Sequence, residues 1–414
     1  MKNFKLATLG CRTNQYETNA FKRQLEGLGL KSNDEDSLAD ICIINTCTVT
    51  ENAHKESRHA VKKMAQNNPN AKIIVTGCAA EKDPESFLNI AGVMFVGGNK
   101  DKENVLANFF PKENLPEFII NHFEAHTRSF VKVQDGCNSF CTYCIIPYVR
   151  GRSKSRSIQD VVKEVEGLIE NGFKEVVLTG INIGDFDGGD GSVKLKDLVN
   201  AVDQIEGLKR LRISSIDPDE VDDELIDCIL NGKNTCKSMH IVLQSGSNVI
   251  LKKMNRKYTR QMFLQSIKNL KERCPDFTFT TDVIVGFPQE TDKDFEETLE
   301  VVKEVNFAKV HVFPYSPRER TRAFSYPDKV SPEVIKERKM EIIKLSEENA
   351  FNLRQLWVGR KVSVLLEARD ENKIKGHTDN FLEVIIEDTA LQPNTIVDVI
   401  LVENRSDALI GKVV

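Results

Sequence analysis

Three cysteines fall within eight residues of one another, in the run Asp135-Gly136-Cys137-Asn138-Ser139-Phe140-Cys141-Thr142-Tyr143-Cys144. Few features constrain a fold more, because the loop must curl until three thiolates face a common point. Three thiolates can hold three corners of a cubane [4Fe–4S] cluster. With no fourth cysteine or histidine close by, one iron stays open, which marks a reactive site more than a structural one. Zinc is the competing ligand. It asks for four donors in closed tetrahedral geometry, usually from paired knuckles. The neighbouring His122 and His126 lie in a charged stretch without that spacing. A disulfide framework fits poorly with a chain of 414 residues that shows no cleaved presequence.

The first segment, residues 1–113, alternates short apolar runs with helical patterns: Phe4–Leu9 then Gln15–Leu28, Ile41–Ile44 then Ala53–Ala65, Ile73–Val75 then Pro84–Ile90, Val93–Val96 then Lys102–Phe110. Such alternation predicts a small parallel α/β sheet. Cys11, Cys47 and Cys78 each follow one of its strands, in Leu9-Gly10-Cys11, Asn45-Thr46-Cys47 and Thr76-Gly77-Cys78. Parallel sheets bind ligands at their carboxyl edge, so these thiols form a second candidate three-thiolate site. Three simply buried cysteines are the alternative. Cys42, inside a strand and not at its end, reads that way.

Residues 112–128 are charged and irregular and read as a linker. Residues 128–355 carry strand patterns at Phe130–Val133, Glu175–Leu178, Arg210–Ile213, Met239–Leu243, Phe277–Val285 and Lys309–Phe313, separated by helical patterns. Six such units predict a partial, open (β/α)6 barrel with its chemistry on the carboxyl face. The triple-cysteine loop follows the first strand and lies on that face. Its C-x3-C-x2-C spacing, with an aromatic residue before the last cysteine, resembles the signature of the radical S-adenosylmethionine (SAM) superfamily, in which the open iron chelates SAM. On that reading the rim residues Gly180, Asn182, Ser215, Gln244, Asp282 and Gly286 are candidates for contacts to the amino, carboxylate and ribose groups of SAM. Tyr143 and Ile284 are candidates to flank its adenine.

The last segment, residues 356–414, shows short strands at Val362–Leu366, Leu382–Ile386, Ile396–Val402 and Leu409–Val414, with turns at Asp370-Glu371-Asn372 and Gln392-Pro393-Asn394. A small OB-like β-barrel of the general kind that binds RNA is expected. His377 and Phe381 are its candidate base contacts. Bulk charge offers no help: the segment has seven Lys/Arg against ten Asp/Glu, and the whole chain carries −5. Any polyanion must be met by local patches. Arg150 to Arg156, Lys252 to Arg260, and Arg318 to Arg322 follow the cluster loop or barrel strands and could ring one mouth. Arg150, Arg256 and Arg318 are the candidate substrate contacts.

Taken in order, the two cysteine triads, Arg150-Gly151, Gly286-Phe287-Pro288 and Gly376-His377-Thr378 resemble the methylthiotransferases of the radical SAM superfamily across all three segments. The resemblance implies an N-terminal domain with an auxiliary cluster on Cys11, Cys47 and Cys78. It implies a radical SAM domain with a cluster on Cys137, Cys141 and Cys144, and a C-terminal TRAM domain. It further implies a tRNA-modifying transferase: one SAM methylates a sulfur on the auxiliary cluster, and a second yields a 5′-deoxyadenosyl radical that activates the substrate carbon. The runs Leu9-Gly10-Cys11-Arg12-Thr13-Asn14-Gln15-Tyr16-Glu17-Thr18 and Thr179-Gly180-Ile181-Asn182-Ile183-Gly184-Asp185 look most like the branch that acts at C2 of N6-threonylcarbamoyladenosine (position 37, beside the anticodon). Isopentenyladenosine of tRNA and an aspartate of a ribosomal protein are the alternative substrates of the same chemistry. A non-catalytic iron–sulfur RNA-binding or redox-sensing role is a third possibility, against which the intact cluster loop argues. Arg320-Thr321 stands where the family commonly has Gly-Thr. A flavodoxin- or ferredoxin-type reductant, a cytoplasmic location and no membrane partner are expected. Beyond the clusters, the sequence assigns no catalytic side chain.

Overall fold

The structure is a computed structural model that describes residues 2–33, 37–123, 127–370, 372–387 and 390–414. His126 of the linker and Glu371 of the expected turn lie outside the described residues. Among those residues, no helix is long and apolar enough to cross a membrane.

The N-terminal unit is a five-stranded parallel sheet of β1 (Asn3–Thr8), β2 (Lys31–Ser32), β3 (Ile41–Thr46), β4 (Lys72–Gly77) and β5 (Val93–Gly97), in the order β2-β1-β3-β4-β5. Its central strand β3 is buried throughout, which explains a continuous apolar run in place of alternation. Ile41 and Ile43 pack with Phe21 and Leu25 of the helix Arg12–Gly27. Cys42 and Ile44 pack with Val61 and Ala65 of the helix Glu51–Asn67 on the other face. Cys42 is thus a core residue. The helix Arg12–Gly27 has a second apolar stripe, Tyr16 and Ala20, which joins the core of the central unit. One helix therefore serves two cores and fixes the first sheet against the second.

The central unit holds β6 (Arg128–Lys132), a short hairpin of β7 (Gln134–Asp135) with β8 (Lys154–Ser155), β9 (Glu175–Thr179), β10 (Arg210–Ile213), β11 (Ser238–His240), β12 (Thr278–Val285) and β13 (Lys309–Pro314). Parallel triplets β6-β9-β10 and β11-β12-β13 are joined by the bridges Leu211↔Thr235 and Ile216↔Ile241. This is the open, six-stranded partial barrel that the sequence pattern predicts. On β12 the buried Thr281, Val283 and Val285 alternate with the partly open Thr280, Asp282 and Ile284. Val283 and Val285 belong to the core under the helices, so the alternating set lines the concave face. The helix Pro332–Gln355, started by an N-cap from Ser331 and a proline in its first turn, packs on β13 and leads to the C-terminal unit.

That unit is a closed barrel of β14 (Lys361–Asp370), β15 (Lys373–Thr378), β16 (Glu383–Ile386), β17 (Ile396–Asn404) and β18 (Leu409–Val413), in the order β14-β15-β16-β18-β17. Strand β15 was not among the four expected strands. It takes up Gly376, His377 and Thr378, because a glycine whose Cβ would lie 2.2 Å from the carbonyl of Leu365 allows β14 and β15 to close. The barrel docks on the amino-terminal ends of the central strands. Arg210 donates to the carbonyls of His377 and Ser363, Arg212 to those of Thr378 and Asp379, and Asn380 to that of Asp276.

Candidate active site

Backbone geometry at two glycines converges the first cysteine triad. Gly10 has φ +92°, and a Cβ there would lie 2.6 Å from Cys47 Sγ; Gly77 has φ +102°, and a Cβ there would lie 2.4 Å from the carbonyl of Thr46. Only glycine takes these conformations at no steric cost, and both let the loops after β1 and β4 press onto the end of β3. Asn14 stitches the loops together, donating to the carbonyls of Leu9 (2.7 Å) and Thr46 (3.1 Å). Ser57 accepts from the amide of Cys47 and donates to its carbonyl. Cys47 and Cys78 are buried, while Cys11 opens to solvent at the mouth though surrounded by protein.

The second triad is held from the opposite side. Thr142 is bonded to the carbonyls of Lys253 and Met254, and Asn255 donates to the carbonyls of Ser139 and Phe140. Cys78 of the first triad packs against Ile145 and Val149, just beyond Cys144. Asn99 donates to Cys78 Sγ (3.5 Å) and to the carbonyl of Val149 (2.8 Å). The two triads therefore flank one interface between the N-terminal and central units.

The donor sets fit iron–sulfur clusters. Burial pushes the Cys47 thiol up to about 11 and, with the neighbouring Cys141, that of Cys144 up to about 12. Cys11 and Cys137 are raised chiefly by burial too. Neighbouring sulfurs add to these rises: Cys78 to those of Cys11 and Cys47, and Cys141 to that of Cys144. Buried thiols of this kind ionise only beside a strong positive charge, which bound metal supplies. Among the described residues no three His, Cys, Asp or Glu side chains close around a single ion. A buried guanidinium serves each triad. Arg256 Nη1 lies 3.0 Å from Cys141 Sγ and the same side chain pairs with Asp217. Arg150 feels Cys78 and Cys11 and is anchored on Glu17 (3.0 Å) and Asp135 (2.8 Å).

Beside Cys144 opens a cavity of about 180 Å³ lined by Tyr143, Cys144, Gln244, Asp282 and Ile284, with Val49 and Thr50 of the N-terminal unit on its border. Five residues singled out from sequence are thus brought to one place. Asn182 lies on the neighbouring rim, donating to Glu220 (2.9 Å). Gly180 precedes two amides that both donate to Gln134 Oε1. Burial and the adjacent Asp217 push Glu220 up to about 8. Ser215 is half-buried after β10. Gly286 sits away from the cavity, its amide donating to Glu290 and its α-carbon against Ile335.

The basic residues fall differently. Arg318 is fully buried and reaches Thr48 (2.6 Å) and Glu51 (2.7 Å), so it clamps the N-terminal unit to the barrel, and Arg150 does the same through Glu17. His377 and Phe381 stack on each other at 4.6 Å, and Phe381 is covered by Arg128 and Arg212. These two rings sit at the junction of the C-terminal barrel and the central unit. Glu17, with Lys102 and Lys132 as well as Arg150 around it, is the buried carboxylate that sequence reading missed. It lies in a helical run with nothing local to reveal partners more than eighty residues away.

The chain matches the family profile described as "Radical SAM superfamily" over residues 131–302 and that described as "Uncharacterized protein family UPF0004" over residues 3–98. It is 44% identical, over 99% of its length and 98% of the relative's, to the threonylcarbamoyladenosine tRNA methylthiotransferase MtaB of Chlamydia pneumoniae. It is 37% identical to the MtaB of Bacillus subtilis over 92% and 90% of the two chains. A tRNA-2-methylthio-N(6)-dimethylallyladenosine synthase of Clostridium novyi is 33% identical over 100% and 97%. Among solved structures, the radical SAM methyltransferase TsrM of Kitasatospora setae, with cobalamin and a [4Fe–4S] cluster, shares the fold at TM-score 0.56 and 13% identity, covering 78% and 77%.

Proposed function

The chain belongs to the methylthiotransferases of the radical SAM superfamily, and from that premise we propose that it inserts a methylthio group at C2 of N6-threonylcarbamoyladenosine beside the anticodon of tRNA. The observation that carries this reading is the full-length 44% identity to a relative named for that reaction, met by two thiol triads that flank one interface. SAM and two [4Fe–4S] clusters are the cofactors, and when bound they supply a reducing electron, a deoxyadenosyl radical and a methylated sulfur. Cys137, Cys141 and Cys144 would hold one cluster, and Cys11, Cys47 and Cys78 the other. The chain's own work is placement. Tyr143 and Ile284 give apolar walls to the space for a nucleoside, Asp282 and Gln244 give it polar side chains, and Val49 and Thr50 border it from the N-terminal unit. Arg256 and Arg150 offset the negative charge of thiolate clusters, which water would otherwise have to screen. A flavodoxin- or ferredoxin-type reductant and a reducing cytoplasm suit such thiolates.

The dimethylallyl nucleoside is the second reading, favoured by the 33% identity to enzymes named for it. The test is anaerobic reconstitution with iron and sulfide, then reaction with dithionite, SAM and tRNA bearing threonylcarbamoyladenosine, followed by nucleoside mass spectrometry. About eight irons per chain and a methylthio product are expected. Cys11→Ala, Cys47→Ala or Cys78→Ala should abolish that product while deoxyadenosine still forms. Deoxyadenosine from the wild type without any methylthio nucleoside on this tRNA would falsify the substrate assignment.

A further inference from the structure

One arginine at the mouth, Arg12, has no carboxylate partner among the described residues. Arg12 follows Cys11 and opens the helix Arg12–Gly27. Its guanidinium lies 5.4 Å from the centre of the Phe130 ring on β6, inside the half-barrel. Among the described residues it makes no hydrogen bond and no ion pair. The other arginines around this space are committed: Arg128 to Glu367 at 3.1 Å, Arg212 to Glu175 at 2.7 Å, Arg150 to Glu17 and Asp135. Arg128 and Arg212 lie nearby as like charges. The opposing charge it feels is that of Asp282, whose oxygen is turned to His240 Nε2 at 3.4 Å. Arg12 is exposed to the open groove, so its guanidinium is accessible to an arriving anion and carries no carboxylate of its own.

Its position says which anion. Arg12 is covalently next to Cys11 of the first triad and within electrostatic reach of Asp282, which lines the cavity beside Cys144. A carbon that meets both a sulfur from the first triad and a radical from the cavity must lie in this space. The groups attached to the same purine ring then lie within reach of Arg12. In threonylcarbamoyladenosine the N6 substituent ends in a carboxylate; in the dimethylallyl nucleoside it is a neutral hydrocarbon.

Resting on the function proposed above, we infer that Arg12 binds the carboxylate of the threonylcarbamoyl group and selects that nucleoside over one with an apolar N6 substituent. Two parallel N–H···O bonds join a guanidinium to a carboxylate. A neutral substituent makes no such pair, so the threonylcarbamoyl nucleoside is preferred by the strength of the added charge-assisted contact.

The test uses the full chain, reconstituted anaerobically, and three anticodon stem-loops: one with threonylcarbamoyladenosine, one with dimethylallyladenosine and one with unmodified adenosine. Affinities are read by fluorescence anisotropy. Arg12→Gln should weaken binding of the threonylcarbamoyl stem-loop about ten- to a hundredfold, the range of a lost charge-assisted contact. Binding of the other two should be unchanged, and Arg12→Lys should recover part of the loss. Iron content equal to wild type certifies that the variant folds. An equal loss on the unmodified stem-loop would make Arg12 a general phosphate contact and overturn the inference, as would no loss on any. If the wild type gives no methylthio product from threonylcarbamoyl tRNA, the functional reading itself fails. If it does and Arg12→Gln binds normally, the inference alone fails.

Discussion

At the scale of single residues, the charges that matter here are those placed where water does not reach. Glu220 sits beside Asp217 and is held protonated up to about 8 by burial and by that neighbour. The sign of its effect on stability follows from linkage. An ordinary glutamate in the unfolded chain ionises near 4.3, so between that value and about 8 the folded chain holds a proton the unfolded chain has lost. Stability therefore falls as pH rises through this window and levels off above it. Glu220→Gln should flatten the dependence, as read from urea unfolding of the metal-free protein between pH 5 and pH 9; an unchanged slope would remove Glu220 as its source. Glu17 behaves oppositely. Arg150, Lys102 and Lys132 outweigh its burial and keep its carboxyl well below the usual range, so its contribution holds at neutral pH and is lost only in acid. The contrast explains why a basic run in sequence says little about RNA. Arg150 and Arg318 look like surface charges until the chain brings Glu17 and Glu51 to them, and no local pattern shows those partners.

Elements carry the site by ending in the right places. The three cysteines of the first triad were legible because each follows a strand of a parallel sheet, and the six central strands because their apolar runs are separated by helical periods. Less legible was β15, whose Lys373-Ile374-Lys375-Gly376-His377-Thr378 run has few apolar residues; the strand forms because Ile374 is buried between its neighbours in a closed barrel. The loops after β1 and β4 depend on glycine in a way that substitution can expose. Gly77→Ala would add a Cβ 2.4 Å from the Thr46 carbonyl and 2.6 Å from Asn45 Oδ1 at φ +102°, with backbone strain of about 1–3 kcal/mol. Relief of that clash would draw Cys78 away from Cys47. Reconstituted iron should fall from about eight to about four per chain while deoxyadenosine formation persists. Full iron loading of the variant would show that the loop tolerates the shift.

Over the whole molecule, the cavity exists only while the N-terminal unit stays against the barrel. Arg318 is a principal clamp, fully buried and spanning to Thr48 and Glu51, while Ser316 accepts from the Glu51 amide at 3.1 Å. Arg318→Met should cost about 1–3 kcal/mol through the lost charged hydrogen bonds. It should also loosen the alignment of the two triads, so the ratio of deoxyadenosine to methylthio nucleoside rises. An unchanged ratio would mean that Glu17 and Arg150 align the units without it. At the far end, the C-terminal barrel is fixed to Arg210, Arg212 and Asp276, and its Asn380 carbonyl accepts from Thr278 at the start of β12. From Thr278 to Asp282 and Ile284 in the cavity is four to six residues of strand, roughly 13–20 Å at ~3.3 Å per residue. The molecule is thereby a caliper with one jaw at the clusters and the other at the small barrel. A ligand that meets both jaws must be at least that long, a length that a folded stem-loop has and a free nucleoside lacks.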